Sequence, residues 1–146
     1  MATDHTADEA AIRERISSLF SAVSAMDLDG VKLAYAPDMV SFDIEPPLQH
    51  VGAEAKWRNW TGFFTVFRRP VGYESRDLSI TAGEDVAFAH SLNRVTGTLQ
   101  NGNRVDYWVR WTACLRKTDG TWLIAHDHVS VPLDVATGAA LLDLKP

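Results

Sequence analysis

Proton-transfer chemistry needs a few side-chain types held close together, and this chain carries them in separated stretches. Asp43 follows the run Met39-Val40-Ser41-Phe42, and His90 and Arg94 stand four apart in a later strand-like segment. Trp122 to Pro132, WLIAHDHVSVP, sets Asp127 between His126 and His128. A carboxylate can take a proton from a carbon beside a carbonyl, an imidazole exchanges protons near neutrality, and a guanidinium holds an anionic oxygen. A metal site is a poor reading of His126-Asp127-His128. Its two histidines share one strand face about 7 Å apart, and no third ligand is apparent, so no metal is expected.

These residues act together only if the fold brings them together. The chain has 146 residues, 46% of them hydrophobic, which is enough for one core and hardly for two, so a single domain over residues 1–146 is expected. The formal net charge of −5, with acids and bases mixed along the chain, offers no basic stripe for phosphates, and nucleic acid is not an expected partner. No apolar run reaches membrane-span length and the N-terminus is polar, so a cytoplasmic protein without a membrane partner is expected. Cys114 is alone and reads as a small buried hydrophobe.

Helical signals come first. Thr6-Ala7-Asp8-Glu9 fits a capping box, and Ile12, Ile16, Leu19, Phe20 and Val23 recur on one face to about Ala25. Asp27-Leu28-Asp29-Gly30 interrupts, Val31 to Tyr35 reads as a short second helix ending before Pro37, and Met39 to Ile44 as a short strand. Trp57, Trp60, Phe64 and Phe67 have the spacing of a third helix's apolar stripe, which Arg69-Pro70 ends. From Tyr73 the period becomes two, and turn signals at Gly83-Glu84-Asp85, Gln100-Asn101-Gly102-Asn103 and Thr118-Asp119-Gly120 divide four strands into an antiparallel meander. Helices followed by hairpin-linked strands predict an α+β domain with one sheet face against the helices.

Alternation then assigns faces. In Tyr107 to Arg116 the odd positions are apolar and should meet the helices. In the last strand Leu123, Ala125, Asp127, Val129 and Val131 form a series that is apolar but for Asp127, and His126 and His128 point the other way unless a bulge reverses the faces. Val86, Phe88, His90, Leu92 and Arg94 share a face, on which His90 and Arg94 could join Asp127 beneath the helices. Bland readings stand beside these: Asp43 as a turn aspartate, His90 as a core histidine, Asp127 as a hydrogen-bonding carboxylate. Trp57 and Trp60 either fill the core or line a pocket, as do Tyr107 and Trp111, and His50, beside Pro46-Pro47, is a candidate for a pocket mouth.

In order and spacing, Ala25-Met26-Asp27-Leu28-Asp29-Gly30, Tyr35-Ala36-Pro37-Asp38-Met39-Val40 and Asp119-Gly120-Thr121-Trp122-Leu123-Ile124 with the following His-x-His-x-Ser resemble the nuclear transport factor 2-like superfamily, in its SnoaL-like and ketosteroid-isomerase-related branch. The resemblance runs from about Ala7 to Pro132. It implies a cone-shaped fold in which a curved antiparallel sheet wraps the N-terminal helices around an internal pocket, with homodimerisation through the outer sheet face. It also implies that Asp43 falls where steroid isomerases carry their general base, whereas their helix tyrosine falls at about Leu19 and their protonated aspartate near Thr112. The expectation is a cofactor-independent isomerase or dehydratase acting on an apolar, oxygenated small molecule. Asp43 would be the base, His90 its proton-transfer partner and Asp127 an orienting carboxylate. Arg94 would clamp an oxyanion or a carboxylate, and Tyr107, Trp57, Trp60, Trp111 and His50 would bind substrate. The alternative is a noncatalytic small-acid-binding or homodimeric assembly domain.

Overall fold

The computed structural model describes residues 3–146. Helix α1 (Thr6–Ser24) buries Ile12, Ile16, Leu19, Phe20 and Val23, the predicted stripe. Its first turn differs from the expected capping box: Thr6 is already helical, and its N–H donates to Asp4 at 2.9 Å. The second helix, α2 (Leu28–Lys32), begins earlier than expected because Asp27 caps it, accepting from Gly30 N–H at 3.1 Å. The chain is therefore extended by Tyr35, and β1 (Tyr35–Phe42) accommodates Pro37 in the stretch between Tyr35 and Val40 where its register with the last strand is irregular. Next come β2 (His50–Val51) and α3 (Ala53–Val66), then β3 (Gly72–Ala82), β4 (Val86–Thr98), β5 (Arg104–Thr118) and β6 (Thr121–Ser130). Among the described residues no helix is long and apolar enough to cross a membrane.

The six strands form one sheet in the order β2-β1-β6-β5-β4-β3, antiparallel except where β1 lies parallel to β6. This is the α+β cone: a curved, unclosed sheet wrapped around the helices. Register breaks bend the long strands. One lies between Arg76 and Ser79 in β3, with Asp77 at φ +58°, and another opposite Cys114–Leu115, where β6 carries Ala125 as an extra residue. A two-residue turn, Asp119-Gly120, with both φ positive, joins β5 to β6 in the geometry that matches strand twist.

The Ala125 bulge splits β6 into two phases. Trp122 and Ile124 point to the core before it, and Asp127 does after it, so the single alternating series expected for this strand describes only its second half. Along β4 the expected faces are reversed. Ala87, Ala89, Ser91, Asn93 and Val95 point inward, leaving Val86 (60% exposed) and Phe88 (50% exposed) outside with His90. Small side chains win the inner face there because Ala87, Ala89 and Ala113 lie in the same packed core as Ile16, Leu19 and Phe20. Gly97 belongs to the same inner row: a Cβ there would meet the Phe67 ring at 2.9 Å. Cys114, on the outer face, is half-buried rather than buried.

Candidate functional site: an ion cluster in an aromatic cavity

Alternation along β1 sends Met39, Ser41 and, just beyond the strand, Asp43 inward. Because Ser41 is paired directly with Asp127 in the parallel β1–β6 register, their side chains are neighbours on that face, and the Ser41 hydroxyl donates to Asp127 Oδ1. Lys56, in the first turns of α3, reaches into this pair. Its ammonium donates to Ser41 Oγ at 3.0 Å, Asp43 Oδ2 at 2.9 Å and Asp127 Oδ2 at 3.1 Å. Those are all three N–H donors of a lysine. Lys56 and Asp127 are each 1% exposed, and the Lys56 nitrogen also lies 5.5 Å from the Trp60 ring and 6.0 Å from that of Tyr35.

The electrostatics follow from burial. Burial alone would strip the Lys56 proton, but Asp127, Tyr35 and Asp43 outweigh it and hold the group charged above the ordinary lysine range. Asp43 is the mirror case. Burial pushes its carboxyl up, and the Lys56 charge and hydrogen bond, the Ile44 N–H at 2.7 Å and Asn59 Nδ2 at 2.7 Å together bring it below the usual value. Asp43 is thus an ionised carboxylate at neutral pH, with 15% of its side chain exposed.

Asp43, Lys56, Asn59 and Asp127 occupy one wall of a cavity of about 300 Å³ that is otherwise aromatic and aliphatic. Trp60, Phe63 and Phe67 from α3 and its end face Tyr73, Tyr107 and Trp111 from the sheet. Trp60 is fixed by its indole N–H, which donates to Tyr35 Oη at 2.7 Å. Burial, then the nearby Glu45 and Asp43, pushes the Tyr107 phenol up to about 12.

Of the residues proposed from sequence, Asp43, Asp127, Trp60, Tyr107 and Trp111 line this cavity. The other four lie elsewhere. His90 is exposed on the outer sheet face. Arg94, on the same face, makes a two-pronged ion pair with Asp106 (2.9 and 2.7 Å) and reaches Glu74 at 3.3 Å, so neither it nor His90 can meet Asp127. Trp57 is rotated off the cavity, with Lys32 Nζ 4.8 Å over its ring and its indole N–H buried without an acceptor among the described residues. His50 is buried in β2, its Nε2 3.4 Å from the Glu45 carbonyl. His126 and His128 flank Phe42 on the outer face with ring centroids at 4.7 and 5.6 Å, and His126 Nδ1 donates to the Val40 carbonyl at 2.7 Å. No group of three or more potential metal ligands occurs among the described residues.

Sequence reasoning missed Lys56 and Asn59. A partial signal existed: Lys56 and Asn59 lie on the same helical face as Trp60 and Phe63, one turn before them, although a lysine there reads as solvated from sequence alone.

Known proteins share this fold. The SnoaL-like domain family matches residues 12–134. An NTF2-like protein of unknown function from Pseudomonas putida KT2440 is 34% identical over 97% of this chain and 98% of its own, with a TM-score of 0.88. A ketosteroid isomerase-like protein from Erwinia carotovora atroseptica is 22% identical over 86% of this chain and 96% of its own (TM-score 0.74). An NTF2-like superfamily protein from Salmonella enterica is 18% identical over 94% and 100% (TM-score 0.80). Curated proteins yield no match. The matched span, the cone and the cavity at its centre make this chain a member of the SnoaL-like family of the nuclear transport factor 2-like superfamily.

Proposed function

We propose that the chain is a cofactor-independent isomerase or dehydratase working by general acid/base catalysis on an apolar, oxygenated small molecule. The observation that carries this reading is the meeting of Asp43 and Asp127, from separate segments, around buried Lys56 at the wall of an aromatic cavity. An ionised carboxylate is ready to accept a proton, and its low basicity restricts it to carbon acids already strongly activated by a carbonyl. Asp43 takes the proton from carbon. It then returns it to a second carbon, giving isomerisation, or to a departing β-hydroxyl, giving dehydration. Lys56 balances the charge of the two carboxylates, and Asp127 with Ser41 keeps it in place. His90 and Arg94 have no part in this scheme, since both face away from the cavity. A homodimer would use the outer sheet face, where Val86 and Phe88 stand open; light scattering tests that part.

One observation favours a second reading, noncatalytic binding of an uncharged ligand. Both Asp43 oxygens already accept hydrogen bonds, which is also what a purely structural clasp would look like. A small acid is a poor ligand in either case, because Asp43, Glu45 and Asp127 line the cavity against one lysine whose donors are all engaged.

The test is a panel of cyclic ketones and hydroxyketones, screened by quenching of Trp60 and Trp111 fluorescence and assayed by NMR for solvent deuterium entering the carbon next to the carbonyl. Exchange should fall about a hundredfold in Asp43→Asn. Ligands that bind without exchanging in the wild type would favour the second reading.

A further inference from the structure

The proposed chemistry needs a donor at the substrate oxygen, and neither the Lys56 ammonium nor the Trp60 indole supplies one. Every Lys56 N–H is engaged, and the Trp60 indole N–H is held by Tyr35. A different polar group reaches the cavity from the sheet. On the inner face of β4, Ser91 (5% exposed) and Asn93 (0% exposed) are buried among apolar residues, next to Tyr73 of β3. The Ser91 hydroxyl lies 2.6 Å from Asn93 Oδ1, and Asn93 Nδ2 lies 3.1 Å from Tyr73 Oη.

The two lengths fix the direction of the chain. A separation of 2.6 Å suits O–H···O and is short for N–H···O, whereas 3.1 Å suits an amide donor. The amide oxygen therefore faces Ser91 and its NH₂ faces the phenol. Tyr73 Oη is thereby an acceptor from Asn93, and its own proton has no acceptor among the described residues. The ring cannot swing freely, because it packs at 5.1 Å on Phe20 and 6.1 Å on Trp60. Tyr73 lines the cavity. Burial, outweighing the Asn93 hydrogen bond, raises its ionisation above the ordinary tyrosine range, so it stays a neutral donor.

We infer that the Ser91–Asn93 relay aims the Tyr73 hydroxyl at the oxygen of an uncharged, two-ring carbonyl compound bound in the cavity. The size follows from the volume: about 300 Å³ is roughly twice the ~150 Å³ apolar cavity that holds one benzene. The absence of ligand charge follows from three carboxylates and one committed lysine in the lining. This inference rests on the cavity of the proposed function but not on the role of Asp43.

The experiment uses 2-tetralone, its oxygen-free counterpart tetralin, and 2-naphthoate, with affinity read from tryptophan fluorescence and the carbonyl stretch of bound 2-tetralone read by infrared difference spectroscopy. Wild-type protein should prefer 2-tetralone to tetralin by about tenfold, as one hydrogen bond predicts, and bind 2-naphthoate at least that much more weakly. Tyr73→Phe, which keeps the ring packing, should abolish the preference and return the stretch towards its value in an apolar solvent. Asn93→Leu keeps the phenol but frees it, and should broaden the band. The proposal fails if Tyr73→Phe leaves preference and stretch intact, including the case in which Tyr107→Phe removes them instead, or if 2-naphthoate binds best. Deuterium exchange separates the two claims: exchange that survives with no Tyr73 effect sinks this inference alone, and a Tyr73 effect without exchange sinks only the catalytic reading.

Discussion

The two faces of the sheet carry similar ion clusters with opposite consequences. Outside, Arg94 bridges Asp106 and Glu74 with side chains 39% to 63% exposed. Inside, Lys56 bridges Asp43 and Asp127 with side chains 1% to 15% exposed. Distances are comparable, and the outer pair is even two-pronged. Water and salt screen the outer charges, so their removal costs little. The inner charges have exchanged hydration for each other, so removing one strands the rest. A buried cluster of this kind is also a poor way to gain stability, since apolar residues of the same volume would serve as well. Its presence in a cavity wall therefore calls for a chemical explanation.

The largest expected effect breaks the inner cluster. Lys56→Met leaves two carboxylates without their cation and should lose about 3–5 kcal/mol in urea unfolding. Replacing the whole cluster (Lys56→Met, Asp43→Leu and Asp127→Leu together) should recover most of that loss while abolishing exchange chemistry. If the triple variant stays as unstable as the single one, the cluster is structural after all. A smaller effect appears with pH. Asp43 has a folded pKa below its unfolded value of 3.8, so its contribution is complete above that pH and is lost as pH falls through the folded value. Lys56 is raised above 10.5, and Tyr35 and Tyr73 above 10.0, so stability should decline as pH rises beyond about 10. The alkaline slope should shrink by one proton in Lys56→Met, as urea midpoints measured from pH 9 to 12 would reveal. The smallest effect is outside: Arg94→Ala should leave the melting temperature near the wild-type value, and a large drop would erase the contrast between the faces.

The same contrast explains what could be read from sequence. Element types were legible because period and turn chemistry agree locally, as in Ile12, Ile16 and Val23 on α1 and Asp119-Gly120 between β5 and β6. The position of Asp127 could be read from one carboxylate in an apolar series. The faces of β4 could not, because hydropathy favours Val86, Phe88 and Leu92 inside, whereas packing against the helices demands the smaller Ala87 and Ala89. His90 and Arg94 were misplaced with them. Lys56 was hidden for a related reason: a lone lysine on a helix reads as solvated until its two partners, remote in sequence, are known to lie beneath it.

The central claim is that proton chemistry belongs to the inner face, and one rate constant tests it most directly. That constant is for deuterium entering C1 of bound 2-tetralone, compared by NMR in wild type, Asp43→Asn and His90→Ala at equal ligand occupancy. The account predicts a loss of about a hundredfold in Asp43→Asn and an unchanged rate in His90→Ala. An unchanged rate in Asp43→Asn, with a loss in His90→Ala, would contradict it.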